Sequence, residues 1–367
     1  MPGWPGSPDR RPAASVALLL PFVTQVWQVY VLIFVLQSAS AAFTPTFQAT
    51  IPDVLPDEDD YTKALSLSRL AYDLESLASP ALAALLLTVV SYPSLFGGTV
   101  VGFLASAALV VSAVLPKVDV PPKRSIFERT TRGLRIYLRT PRLLGLLALN
   151  LAIASGGAMV IVNTVVLVQS DLGLNQTATA AALAVFGAGS MLVALALPGL
   201  LDRVPERGAM LAGAGVISVG LLAGVLMASH FAALLALWFV LGAGYSLAQT
   251  PTGRLLRRSS REHDRPALFA AQFALSHACW LITYPVAGWV GAKAGLTASF
   301  IVLAAVAGAS VLLASRLWPR DDPQILEHCH DDLYAGHPHL VAEAGSSAGA
   351  RHAHAFVIDD DHHRWPS

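Results

Sequence analysis

Long apolar runs recur along nearly the whole chain, at residues 28–50, 64–90, 95–115, 143–168, 177–200, 209–228, 231–250, 267–291 and 297–315. Each is close to the ~20 residues that carry an α-helix across the ~30 Å hydrocarbon core of a bilayer. No other feature constrains the fold as strongly, because backbone amides in lipid must be paired within a helix or a closed barrel. Barrel strands alternate in polarity over about ten residues, and these runs do not. The chain therefore reads as an all-α, polytopic integral membrane protein whose first partner is the lipid bilayer. Composition agrees: 54% of the 367 residues are hydrophobic and only 13% charged, against roughly 25% charged in soluble domains.

Net charge is zero, so orientation rests on where the cations fall. The segments between spans alternate between basic and non-basic. Arg10 and Arg11 open the basic set, and Lys117, Lys123, Arg124, Arg129, Arg132, Arg135, Arg139 and Arg142 fill its longest member. Arg203 and Arg207, then Arg254, Arg257, Arg258, Arg261 and Arg265, then Arg316 and Arg320 complete it. The opposite set holds one cation, Lys293. The positive-inside rule makes the basic set cytoplasmic, with both termini, in the inner (cell) membrane. That parity requires about ten transmembrane helices, counting a shorter run at 13–23. The short run supplies only ~16 Å of helix, so the chain is expected to start partway through a helix. A signal peptide is the rival reading, but no small-x-small cleavage pattern follows the run directly. Cys279 lies in a span and Cys329 in the tail, an arrangement that offers no structural disulfide.

Four parts are expected: a partial N-terminal transmembrane bundle (1–116), a cytoplasmic basic linker (117–142), a C-terminal six-helix bundle (143–320) and a His-rich cytoplasmic tail (321–367). The linker places Ile126, Phe127, Leu134, Tyr137 and Leu138 among arginines, the pattern of a basic helix lying on the inner membrane face. Its first half is broken by Pro116, Pro121 and Pro122. A repeat links the two bundles. TPT occurs at 44–46 and again at 250–252, each followed by a charged loop; Pro80 lies 36 residues after Thr44 and Pro285 lies 35 after Thr250. Duplicated helical bundles with a binding site near the bilayer midplane are a transporter architecture.

FTPTFQATIPDVLPDEDDYTKALSLSRLAYDLESLASPALAALLL, from Phe43, resembles the fourth and fifth helices of a major facilitator superfamily (MFS) exporter of the drug- and macrolide-efflux kind. PGLLDRVPERGAML, residues 198–211, resembles that family's loop signature G-x-L-x-D-R-x-G-R-[KR] between the eighth and ninth helices. Leu200, Asp202, Arg203 and Arg207 match it, and Pro198 and Pro205 replace glycines. SPALAA at 79–84 resembles the antiporter motif G-P-x-x-G-G, with Ser79 and Ala83 in place of glycine. The resemblance runs from about residue 13 to 318 and implies a two-bundle fold of twelve helices, of which this chain would contain the third, shortened, through the twelfth. It implies secondary active transport, with proton-coupled efflux by an antiporter and Asp202, Arg203 and Arg207 in the conformational loop.

Charges inside the spans mark the candidate site. On a helix starting near Asp60, Arg69, Asp73 and Glu75 stand about 14, 20 and 22 Å along, inside the slab. Arg69 and Asp73 are spaced i, i+4 and can neutralise each other, either as a clamp between helices or as part of a substrate site. Glu75 has no partner on this helix, so a raised pKa and reversible protonation are expected of it. The matching helix in the second half carries His277 and Cys279 before Pro285, readable as a relay, a soft-metal site, or plain packing. Asn163, Gln48 and Gln249 either line a cavity or bond between helices.

Eight of the eleven histidines lie in the tail, in EHCH (327–330), HPH (337–339), HAH (352–354) and DHH (361–363). His328, Cys329, His330, His337, His339, His352 and His354 are the candidate ligands for a divalent transition metal. The alternative is a solvated, disordered tail, although Phe356, Ile358 and Trp365 suit docking on the bundle. Neither a G-x-x-x-x-G-K-[ST] cradle nor an H-E-x-x-H or G-x-S-x-G motif occurs, so neither ATP-driven transport nor an enzyme is expected. No cofactor is implied. The basic linker signals orientation, not nucleic acid. The function expected is export of a small molecule exchanged for protons. Export of a divalent metal (Ni, Co or Zn) with a His-rich sensing tail, or an inactive N-terminally truncated transporter, are the alternatives.

Overall fold

The computed structural model describes residues 23–86, 126–329 and 352–366, with isolated positions between 90 and 112. The expected helix at 13–23 lies outside the described residues but for its last position, and that at 95–115 is described only at isolated helical positions. The described chain is almost wholly helical, as the apolar runs demand.

Two long helices come first, α1 (Val26–Val54) and α2 (Glu58–Leu86). The Asp57 carboxylate accepts from the backbone N–H groups of Asp59 and Asp60 at 3.0 Å, and Glu58, Asp59 and Asp60 fill the first turn of α2. Those acids cap free amides and meet the positive end of the helix dipole. The linker helix α3 (Ile126–Arg139) leads directly into α4 (Pro141–Val165), which continues as a π-turn over Val166–Asp171. Then follow α5 (Gln176–Leu201), α6 (Glu206–Met227), α7 (Phe231–Gln249), the short α8 (Thr252–Arg258), α9 (Arg265–Ala294) and α10 (Leu296–Leu317). Six helical stretches from Pro141 onward are long and apolar enough to cross a membrane. Helix α4 is the axis of this bundle, the most buried of the six, packed on α6, α9 and α10. Helices α5 and α7 lie backbone to backbone: a Cβ at Gly189 would stand 2.1 Å from the Phe239 carbonyl oxygen, and one at Gly242 1.9 Å from that of Phe186. Close approach of this kind lets dispersion hold helices together where no hydrophobic force exists between them.

The repeat is visible in space. Thr44 lies about two-thirds of the way along α1, and Thr250 occupies the matching place in the α7–α8 stretch. In the first copy Pro45 sits within a continuous helix, whereas at Pro251 the helix breaks and resumes as α8. Each copy is followed by a helix of nearly equal length, α2 or α9, holding position 80 or Pro285. The first half meets the second through α2 on α5 and α1 on α9.

Helix α3 is amphipathic, but it docks on protein. A Cβ at Gly133 would fall 1.9 Å from the Ala267 carbonyl oxygen of α9, and Tyr137, fully buried, donates its hydroxyl to Gln272 Oε1 at 2.6 Å. Of the side chains expected to face lipid, Tyr137 is instead buried against protein, while Leu134 and Leu138 are exposed. In the tail, β1 (Ile325–His328) and β2 (His352–Ala355) pair antiparallel, with His328 opposite His352. Phe356 and Ile358 are buried in the main apolar core, so the described part of the tail is docked on the bundle.

Candidate functional site

Arg69 and Asp73 form the expected i, i+4 pair, bidentate at 2.5 and 3.1 Å. It does not stay within α2. Ser190 of α5 donates to the same carboxylate at 2.5 Å, and the Arg69 guanidinium stands 4.7 Å from the ring of Tyr245 in α7. Asp73 is 5% exposed and Ser190 fully buried. A carboxylate so enclosed needs both partners, because charge buried without compensation costs several kcal/mol. The group is thus a polar tie between α2 of the first half and α5 and α7 of the second. Glu75 points elsewhere: it is exposed and makes no ion pair among the described residues.

The second-half residues do not assemble with it. His277 is exposed, its Nδ1 bonded to the Phe273 carbonyl at 2.7 Å and its ring stacked on Phe273. Cys279, two residues on and therefore about 160° round the helix, is buried. The two cannot share one metal from opposite faces. Asn163 is buried and gives its amide to the Ala287 carbonyl at 3.3 Å and Ser299 Oγ at 3.2 Å. It ties α4 to α9 and α10. Gln48 is exposed and Gln249 half-buried.

At the basic end the two halves are joined by a belt of charges. Arg254 pairs with Glu58 and donates to Thr62 Oγ1 at 2.7 Å. Arg257 donates to the Pro56 carbonyl and lies over the Tyr61 ring at 5.3 Å, while Arg265 pairs with Asp53. Acids and carbonyls come from the α1–α2 corner, arginines from α8 and the start of α9. The belt was missed in the sequence, although the acids after the first TPT and the arginines after the second were a signal for it.

Residues 13–228 and, overlapping them, 147–328 match the family model described as the Major Facilitator Superfamily. The chain belongs to this superfamily. Solved structures share the fold at low identity. A bacterial homologue of the iron transporter ferroportin, in an outward-facing state, is 16% identical over 84% of this chain and 83% of its own, with a TM-score of 0.61. The human organic anion transporter TETRAN is 13% identical over 83% and 75%, with a TM-score of 0.70. The E. coli fucose:proton symporter is 14% identical over 84% and 82%, with a TM-score of 0.63. No curated protein matches the sequence. An MFS chain is a membrane transporter, not an enzyme.

The superfamily loop signature is only partly engaged here. Arg207 donates to the carbonyls of Ser315 and Trp318 at 2.9 and 3.0 Å, closing the C-terminal end of α10. Asp202 and Arg203 are exposed and make no ion pair among the described residues. The loop's carboxylate that reaches the belt is Glu206, 3.1 Å from Arg254 and 3.5 Å from Arg258. Its contribution is therefore carried by a residue outside the matched positions.

The MFS fold does not account for the tail. Asp322 pairs with Arg142 at 3.2 Å and with Arg258, Asp359 with Arg261 at 2.6 Å, and Asp360 with Arg132 at 2.6 Å. Trp365 lies 4.8 Å under the Arg142 guanidinium. Between these anchors His328, His352 and His354 form the group of three His, Cys, Asp or Glu that the described residues bring together, with ligand atoms within 4.8 Å of one another. Burial lowers the His328 imidazole to about 4, with the neighbouring His362, His352 and His354 adding to the effect. Burial alone would raise Asp359, but His362 and Arg261 bring it down to about 2. Cys329 is exposed and stands outside the group. His330, His337 and His339 lie outside the described residues.

Proposed function

We propose that the chain is a proton-coupled exporter that exchanges protons for a small organic molecule, with the basic face in the cytoplasm of the inner membrane. One observation carries this reading: at the basic end the two halves are joined by a belt of contacts that can be broken and remade, from Asp53, Glu58 and Pro56 to Arg265, Arg254 and Arg257. Alternating access of two bundles about a midplane site requires such a reversible seal. The positive-inside bias assigns that end to the cytoplasm. Glu75 supports the coupling, since the sequence puts this carboxylate within the slab, two residues from Asp73 and outside the Arg69–Asp73 tie.

Inverted vesicles energised by a proton gradient should accumulate a lipophilic fluorescent dye, and Glu75→Gln should abolish the dependence on the gradient. Dye uptake that survives collapse of the gradient rules out proton coupling. Radioactive nickel or zinc taken up in place of dye favours the second reading, a divalent metal exporter. That reading draws on the tail histidines and on the fold likeness to a homologue of an iron transporter. Against it, the described intramembrane residues bring together no group of three metal-ligating side chains.

A further inference from the structure

We infer that His328, His352, His354 and His362 are a binding site for one divalent late transition metal ion, and that the ion fastens the tail to the basic face. The site is independent of what the protein transports. Strand alternation puts His352 and His354 on one face of β2, and the register sets His328 directly across from His352. Those three rings lie 4.4 to 5.4 Å apart, centroid to centroid. The fourth ligand comes from a turn 34 residues after His328: His362 Nε2 is 3.0 Å from His328 Nε2.

Four ligands at the ~2.0–2.1 Å zinc–imidazole distance stand about 3.3–3.4 Å apart in a tetrahedron. The His328–His362 separation is already close to that edge, and an ion would take the place that a proton holds between the two nitrogens. The ligand atoms of His328, His352 and His354 lie within 4.8 Å of one another and close by side-chain rotation, and His362, joined to them through His328, has its ring 5.0 Å from that of His354. Both inner ligands are also oriented. His328 Nδ1 is bonded to the Leu326 carbonyl at 3.0 Å and His362 Nδ1 to Asp359 at 2.8 Å, so each presents Nε2. A carboxylate or carbonyl behind a ligating imidazole is the usual second layer of a metal site. Imidazoles without a carboxylate or water shell select zinc, nickel, cobalt or copper over magnesium and calcium.

The ion would cross-link β1, β2 and the 359–362 turn, whose Asp359 and Asp360 are the tail's pairs with Arg261 and Arg132. The test uses the full chain, purified in detergent and stripped with chelator, titrated with cobalt(II) chloride alone. One equivalent should give the intense visible bands of tetrahedral cobalt, and one equivalent of zinc should erase them. His354→Gln and His328→Gln should each weaken binding at least tenfold, while His363→Gln, whose ring is exposed, should not. Hydrogen exchange in peptides covering 321–329 and 352–366 should slow with zinc in the parent and not in His354→Gln. Weak octahedral bands, or tetrahedral bands undiminished in both variants, overturn the site; bands without slowed exchange overturn the fastening. If His328→Gln is aggregated, the half-buried His354→Gln decides alone.

Discussion

Asp73 and Glu75 are two residues apart on α2, and the structure gives them opposite surroundings. Asp73 is enclosed by Arg69 and Ser190, so Asp73→Asn should lower stability by about 3–5 kcal/mol, the cost of breaking a buried pair. Glu75→Gln should leave stability unchanged while altering proton dependence. Thermal unfolding of the two variants in one detergent checks the contrast, and equal losses would remove Glu75 from the coupling role. The i, i+4 spacing made the Arg69–Asp73 pair legible in the sequence. Its outer partners were not, because Ser190 and Tyr245 are more than a hundred residues away and neither residue type announces a contact. His362 stands in the DHH motif but not among the candidate ligands for a similar reason: only the fold shows that Asp359 orients its ring.

Among elements, the apolar runs gave the spans of the second half with little error, since length and hydropathy alone decide whether a helix can cross lipid. What they could not give was which surface an amphipathic helix covers. Helix α3 has the pattern of a lipid-facing helix, yet Gly133 lets it press on the α9 backbone, and Arg132 binds Asp264 at 2.8 Å in the turn before α9. Gly133→Val should force the two apart and open the buried Arg132 to trypsin. Cleavage there at the parental rate would mean that α3 can move without that contact. Gly242→Val tests the α5–α7 seam, where overpacking should cost about 1–3 kcal/mol in the same unfolding assay.

For the molecule as a whole the belt predicts a population. Removing Arg254 deletes its pairs with Glu58 and Glu206, and a loss of about 1.4 kcal/mol shifts an open–closed equilibrium about tenfold. With Cys329 replaced by Ser, a cysteine at the buried position 66 of α2 should react with maleimide about ten times faster from the basic side in Arg254→Ala. An unchanged rate would mean the belt does not hold the halves shut. The charge complementarity behind it was present in the sequence, acidic after the first repeat and basic after the second, but pairing it needed the fold. Asp322 adds a mechanical consequence. The same carboxylate grips Arg258 beside the seam and Arg142 at the root of α4, so the tail straps α8 to α4 within the second half and stiffens the face on which the α1–α2 corner closes. A tighter hold on Asp322 would then keep Arg258, and Glu206 with it, fixed at the edge of the belt.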